Sequence, residues 1–205
     1  MKKMQVQNAK GEVRIIAGLW RGRKLPVLNA EGLRPTGDRV KETLFNWLMP
    51  YIVDSHCLDC FAGSGSLGFE ALSRQAKQVT FLELDKNVAN QLKKNLQTLK
   101  TTTEQAQIIN QNSLEFLKQA QNQPHEFLKQ AQNQPHFDVV FLDPPFHFGL
   151  AEQVIALLEE KNWLLPHALI YVETEKDKPL SVPENWQLLK EKTTGMVSYR
   201  LYQKD

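Results

Sequence analysis

The chain has 205 residues, 41% of them hydrophobic and 23% charged, the balance of an ordinary globular domain long enough to bury a core. No apolar run reaches the roughly 20 residues of a membrane helix, and the opening "MKKMQVQNAKGEVR" carries charge without the apolar stretch of a secretory leader, so a cytoplasmic protein with no membrane partner is expected. The net charge of +2 hides an asymmetry: residues 1–41 hold ten Lys/Arg against three Asp/Glu, a net of +7, and residues 42–205 hold fifteen against twenty, a net of −5. A basic front on a mildly acidic body is the footprint of a nucleic-acid binder.

In chain order, "VRIIAGLWRGRKLPV" (13–27) reads as two short strands around a basic, glycine-containing turn. Its Trp20 sits among Arg21, Arg23 and Lys24, so a base can stack on the ring while the cations hold phosphates. A loop and helix follow over 33–48, with Thr36 or Asp38 as cap and Val40, Leu44 and Trp47 on one face. Then strand and helix alternate: strand 56–60, helix 66–75, strand 78–85, helix 86–99 with Val88, Leu92, Leu96 and Leu99 on one side, and strand 106–110. A Gln-rich helical stretch leads to strand 137–143, helix 150–160 and strand 168–174, and two late strands near 186–193 and 196–202 look hairpin-like. Such alternation predicts an α/β, Rossmann-like architecture, a mainly parallel sheet with helices on both faces and ligands at the carboxyl ends of its strands.

The two cysteines, Cys57 and Cys60, form a CxxC, but residues three apart on a strand face opposite ways. Buried structural thiols are expected, and no metal site. A second oddity is "EFLKQAQNQPH", present in tandem at 115–125 and 126–136. Eleven residues are close to three helical turns, yet Pro124 blocks helix continuation. One copy is read as an insertion that loops out or forms a short surface helix.

The chemistry concentrates at strand ends. "LDCFAGSGSLG" (58–68) places Gly63, Gly65 and Gly68 in a G-x-G-x-x-G between strand and helix, a turn that brings backbone close to a ligand. The pattern alone also fits a dinucleotide. Asp59 just before it would oppose a pyrophosphate, whereas a ligand bearing ammonium and sulfonium would welcome the carboxylate. "FLELD" ends the next strand, and Glu83, 18 residues after Gly65, and Asp85 are candidates to accept ribose hydroxyls. Asn112 in "NQNSLEF" can meet an adenine edge or simply cap a turn or helix. "FLDPPFHFG" (141–149) ends an apolar strand on an acid, two prolines and a ring. An exocyclic amine on a nucleobase is a poor nucleophile, because its lone pair is delocalised. Asp143 and the carbonyl of Pro144 can accept its two N–H bonds and aim the lone pair at a methyl group, while Phe146 stacks on the extruded base.

These residues resemble the class I S-adenosylmethionine-dependent amino-methyltransferases, whose tetrapeptide N/D-P-P-Y/F/W ends the fourth strand. "RIIAGLWRGRKLPV", "GLRPTGDRVKETLFNWL", "DCFAGSGSLGFEALSR", "LDPPF", "ALIYVE" and "YRLYQ" extend the resemblance over nearly the whole chain, to the RsmD family of bacterial 16S rRNA guanine-N2 methyltransferases. The resemblance implies a seven-stranded sheet with its last strand antiparallel and a small N-terminal hairpin extension. It divides the chain into an RNA-binding extension over 1–32 and a methyltransferase domain over 33–205. It implies transfer of a methyl group from S-adenosyl-L-methionine, leaving S-adenosyl-L-homocysteine, to one guanine N2 of 16S rRNA in the assembled small subunit or a late precursor, by a monomer. Asp59, Phe61, Gly63, Gly65, Glu83, Asp85, Asn112 and Asp143 would line the cofactor, with Thr36 and Arg39 at its mouth. Asp143, Pro144 and Phe146 would hold the guanine, and Arg14, Trp20, Arg21, Arg23, Lys24 and Arg34 the RNA. The tandem copy and the asparagine at 112, where many methyltransferases have aspartate, depart from the pattern. Against this stand an adenine-N6 or other RNA/DNA amino-methyltransferase, which "DPPF" alone does not exclude, a nicotinamide-dependent oxidoreductase, disfavoured by Asp59 and "DPPF", and a non-catalytic RNA-binding scaffold.

Overall fold

A computed structural model describes residues 11–28, 37–119 and 136–205. Two strands, β1 (Gly11–Arg14) and β2 (Lys24–Val27), pair antiparallel as a hairpin, with a single 3-10 turn at Gly18–Trp20 between them. The remaining strands are β3 (His56–Asp59), β4 (Gln78–Leu82), β5 (Ala106–Ile109), β6 (Phe137–Leu142), β7 (Leu164–Glu175), β8 (Trp186–Thr194) and β9 (Val197–Lys204). They form one sheet in the order β5-β4-β3-β6-β7-β9-β8. The first five pair in parallel, and β9 runs antiparallel between β7 and β8. The late strands are therefore a hairpin, as their spacing suggests, and β7 is longer than the apolar run because Leu164 already pairs with Phe137.

Among the described residues five helices cover the two faces: α1 (Asp38–Trp47), α2 (Ser66–Ser73), α3 (Lys86–Leu99), α4 (Ser113–Gln119) and α5 (Leu150–Glu160). Leu44, Phe69, Leu92 and Leu99 pack with Val79 and Phe81 on one face. Phe116, Leu117, Val154 and Leu158 pack with Val140 and Leu142 on the other. Period-2 strands between period-3.6 helices leave this as the way to bury both apolar sets. The cysteines divide as strand geometry requires: Cys57 joins the first core and Cys60 the second, both buried and free. Burial pushes the Cys57 thiol up to about 12 and Cys60 well above its ordinary value, so neither is a reactive thiolate.

At the start of α1, Gly37 occupies the N-cap position without a side-chain bond. Asp38 is already in the first turn, where its charge suits the helix terminus, and it pairs with Lys41 at 3.7 Å. Thr36, Arg34 and residues 120–135, with most of the tandem repeat, lie outside the described residues. No helix among the described residues is long and apolar enough to cross a membrane.

The hairpin is fastened to the sheet by its own core residues and a buried charge cluster. Val13, Ile15, Leu25 and Val27 join the first core, and Asn95 of α3 donates to the Pro26 carbonyl at 3.0 Å. Glu70 of α2, fully buried, accepts the backbone N–H groups of Ile16 (2.9 Å) and Ala17 (3.1 Å). It also accepts from Arg74 Nε at 2.8 Å and faces Lys41 Nζ at 4.0 Å. Lys41 is fully buried too and donates to the Arg14 carbonyl. Desolvation lowers its pKa against the raising effect of Glu70 and Asp38. One of the ten cations counted at the basic front is thus internal, part of the joint.

Candidate active site

The strand order reverses between β3 and β6, since β4 and β5 continue on one side of β3 and β6 and β7 on the other. In such a sheet the ligand crevice opens beyond the carboxyl ends at the reversal. Asp59, the last residue of β3, pairs with Phe141 of β6 and Phe81 of β4. Asp143 and Glu83 each follow two residues later on their strands. Leu142 pairs with Val172, so the same register sets Asp143 beside Glu173 of β7. Four acids from four neighbouring strands consequently meet at one cavity of about 1150 Å³.

Turn chemistry shapes the rest. Gly65 caps α2 at φ +75°, a conformation that costs other residues about 1–2 kcal/mol. Its N–H donates to the Ala62 carbonyl at 2.7 Å. The turn brings Gly63 and Ser64 to the cavity wall, while Gly65 itself lies behind the lining. Glu83 braces it, accepting the Gly63 N–H through Oε2 and the Asp85 N–H through Oε1, both at 2.8 Å. Asp59 Oδ2 accepts the Gly68 N–H at 3.2 Å. Asp85 is the N-cap of α3, its Oδ1 accepting from Asn87 and Val88 at 2.7 and 3.0 Å. Asn112 likewise caps α4 through Oδ1, at 2.9 Å from Leu114 N and 3.3 Å from Glu115 N. Both still line the cavity.

Burial and mutual repulsion raise the acids. Asp59, 3% exposed, is pushed up to about 7 by desolvation first and then by Asp143. Glu173 is pushed up to about 8 by desolvation and then by Asp143, while a hydrogen bond from Tyr171 acts the other way. Burial also raises Glu83. Ser66 Oγ, on the cavity wall, is buried with no hydrogen-bond partner among the described residues. Carboxyls crowded against their own charge, beside an unused hydroxyl, are what a polar, positively charged ligand would satisfy.

Of the residues the sequence singled out, Asp59, Phe61, Gly63, Glu83, Asp85, Asn112, Asp143, Pro144 and Phe146 are together in the lining. Arg39 is exposed on α1, and Gly37 and Val40 rather than Arg39 face the cavity. Arg14, Arg21, Arg23 and Lys24 are exposed on the hairpin, Lys24 pairing with Glu12 at 3.0 Å. Trp20 is half-buried, packed against the first core, with Leu19 beside it 70% exposed. Sequence reading missed Glu173, Ser66, Thr194 and Tyr199. Glu173 was within reach, because "ALIYVET" is an apolar strand whose carboxyl end carries an acid.

Comparison with known proteins agrees with this geometry. A family model described as "Conserved hypothetical protein 95" matches residues 13–203. A Haemophilus influenzae protein named "Ribosomal RNA small subunit methyltransferase D" is 80% identical over 203 residues, 99% of this chain and 100% of its own. The chain belongs to the RsmD family. An Escherichia coli relative of the same name is 53% identical over 199 residues, 97% of this chain and 93% of its own. An Escherichia coli structure described as a "putative methyltransferase" superposes with TM-score 0.82 at 51% identity, covering 95% of this chain and 99% of that one. At 18% identity, a Thermus thermophilus 16S rRNA methyltransferase superposes with TM-score 0.64 over 95% of this chain and 50% of its own. The sheet has the fold of class I methyltransferases.

Proposed function

We propose that this RsmD-family protein moves a methyl group from S-adenosyl-L-methionine to the exocyclic N2 of one guanine in 16S rRNA, presented by the small ribosomal subunit or a late precursor. The observation that carries the reading is the convergence of Asp59, Glu83, Asp143 and Glu173 on one cavity whose rim is Pro144, Pro145 and Phe146. When bound, S-adenosylmethionine supplies an electrophilic methyl on a cationic sulfonium, beside an ammonium. Asp59 and the Gly63–Ser64 backbone suit its methionine part, Glu83 the ribose, and Asn112, whose oxygen is committed to the helix cap, offers its amide N–H to the adenine edge.

Asp143 and the Pro144 carbonyl accept the two N–H bonds of the target amine, and the prolines hold that carbonyl in place. Drawing both hydrogens toward acceptors turns the nitrogen lone pair out of conjugation, and the carboxylate stabilises the positive charge that develops there. Phe146, half-buried at the rim, stacks on the extruded base. Residues 1–32 act as an RNA-binding extension of the 33–205 methyltransferase domain, with Arg14, Arg21, Arg23 and Lys24 of the extension and Arg34 of the domain on phosphates. The names of the Haemophilus and Escherichia relatives support ribosomal RNA as substrate, and the whole-chain resemblance supports guanine. An RNA-binding scaffold has no use for buried acids that repel one another.

Asp143→Ala tests the reading. Methyl transfer to small subunits should be abolished while RNA affinity stays within about twofold, because the removed group touches the amine and no phosphate. Full transfer by the variant would sink the assignment.

A further inference from the structure

A clamp of one carboxylate and one carbonyl recognises an amine and is indifferent to the ring that bears it. Guanine and adenine differ in the atom next to the amine-bearing carbon: guanine N1 carries a hydrogen, and adenine N1 is a bare acceptor. A guanine-selective pocket therefore needs a second acceptor beside the one that takes the amine.

Glu173 meets that requirement. It is 7% exposed, lines the cavity with Asp143 and Phe146, and follows Val172, the partner of Leu142, so it stands next to Asp143 on the adjacent strand. Residues at matching positions on neighbouring strands project to the same side. Tyr171, fully buried, donates its hydroxyl to Glu173 Oε1 at 2.7 Å. That bond occupies one carboxylate oxygen, fixes the side chain's orientation and leaves Oε2 as the atom available to a ligand. Resting on the guanine-N2 reading above, we infer that Glu173 selects the base: its Oε2 accepts guanine N1–H while Asp143 accepts an N2–H. Two carboxylates side by side then read two adjacent donors, a pattern adenine cannot present. Burial and Asp143 favour the neutral form of Glu173. The sulfonium brings positive charge to the same cavity and favours the ionised acceptor.

The test compares small subunits reconstituted with 16S rRNA carrying guanine or 2-aminopurine at the methylated position. 2-Aminopurine keeps the 2-amino group and lacks the N1 hydrogen. Loss of one charge-assisted N–H···O bond in a buried site costs about 10- to 100-fold, so the wild-type protein should prefer guanine by at least that in kcat/KM. In Glu173→Gln, Tyr171 holds the amide oxygen and the amide nitrogen faces the base as a donor. The guanine preference should shrink at least tenfold or reverse, with Tyr171→Phe intermediate. A preference that both variants leave unchanged, whatever their absolute rates, overturns the inference, since a merely structural role slows both substrates alike. If the wild-type product on native subunits is not N2-methylguanosine, the underlying guanine reading has failed instead, and the two failures are distinguishable.

Discussion

Removing Glu70 probes how the N-terminal hairpin is held to the seven-stranded sheet. The side chain is fully buried, and its carboxylate receives two hairpin amides, Ile16 and Ala17, and the Arg74 guanidinium, with Lys41 at 4.0 Å. Glu70→Ala leaves two amides without their acceptor and a buried ammonium that keeps, among the described residues, Asp38 and the Arg14 carbonyl. Breaking a buried ion pair from one side costs about 3–5 kcal/mol, much of it the stranded charge. At about 2–4 °C per kcal/mol for a chain of this length, the melting temperature should fall by about 6–20 °C. Glu70→Gln keeps the shape and an acceptor oxygen, so it should lose less. The assays are thermal unfolding by circular dichroism and amide hydrogen exchange over residues 13–27. If the hairpin detaches before the sheet melts, its amides exchange faster with a smaller shift in melting temperature. A Glu70→Ala protein that melts within 2 °C of the wild type and keeps wild-type hairpin protection would refute the reasoning.

Two further predictions concern the site. A Cβ at Gly68 would lie 2.1 Å from Phe81 Cε1, in a core where Phe81 is fully buried, so Gly68→Ala should destabilise by about 1–3 kcal/mol in denaturant titration despite its better helix propensity; Phe81→Leu in the same chain should recover part of the loss, and purely additive effects would contradict the contact. Burial and then Asp143 push Asp59 up to about 7 and Glu173 up to about 8, above ordinary carboxylates. The folded state therefore holds more protons between about pH 4 and 8, and the empty protein should lose stability as pH rises through that window. A cationic ligand lowers both values, so S-adenosylmethionine should release protons on binding at pH 7–8 and bind more tightly as pH rises. Calorimetry in buffers of different ionisation enthalpy should show more release than with S-adenosylhomocysteine, which lacks the sulfonium; proton uptake would contradict the electrostatic account.

Most of the fold was legible because period-2 and period-3.6 stretches alternate from residue 56 onward, and strand-end acids then announced the cavity. What stayed hidden was long-range. Nothing in "DRVKETLF" distinguishes Lys41 from a surface cation, because its burial depends on Glu70, 29 residues away. The partial burial of Trp20 against the core, set by the docking of the hairpin onto α2, is likewise not visible in the sequence. At Asn112 the sequence leaves cap and ligand readings open, at Asp85 it offers only the ligand reading, and the structure shows cap bonds at both. Glu173 escaped because its value lies in its neighbour across the sheet, Asp143, which only the β6–β7 register supplies.

The central claim is that the clamp of Asp143, Pro144 and Phe146 holds a guanine amine. It is tested most directly by incubating the protein with radiolabelled S-adenosylmethionine and small subunits from a strain lacking this enzyme, then digesting the RNA to nucleosides. The account predicts label in N2-methylguanosine. Label in N6-methyladenosine, or none in RNA, would contradict it.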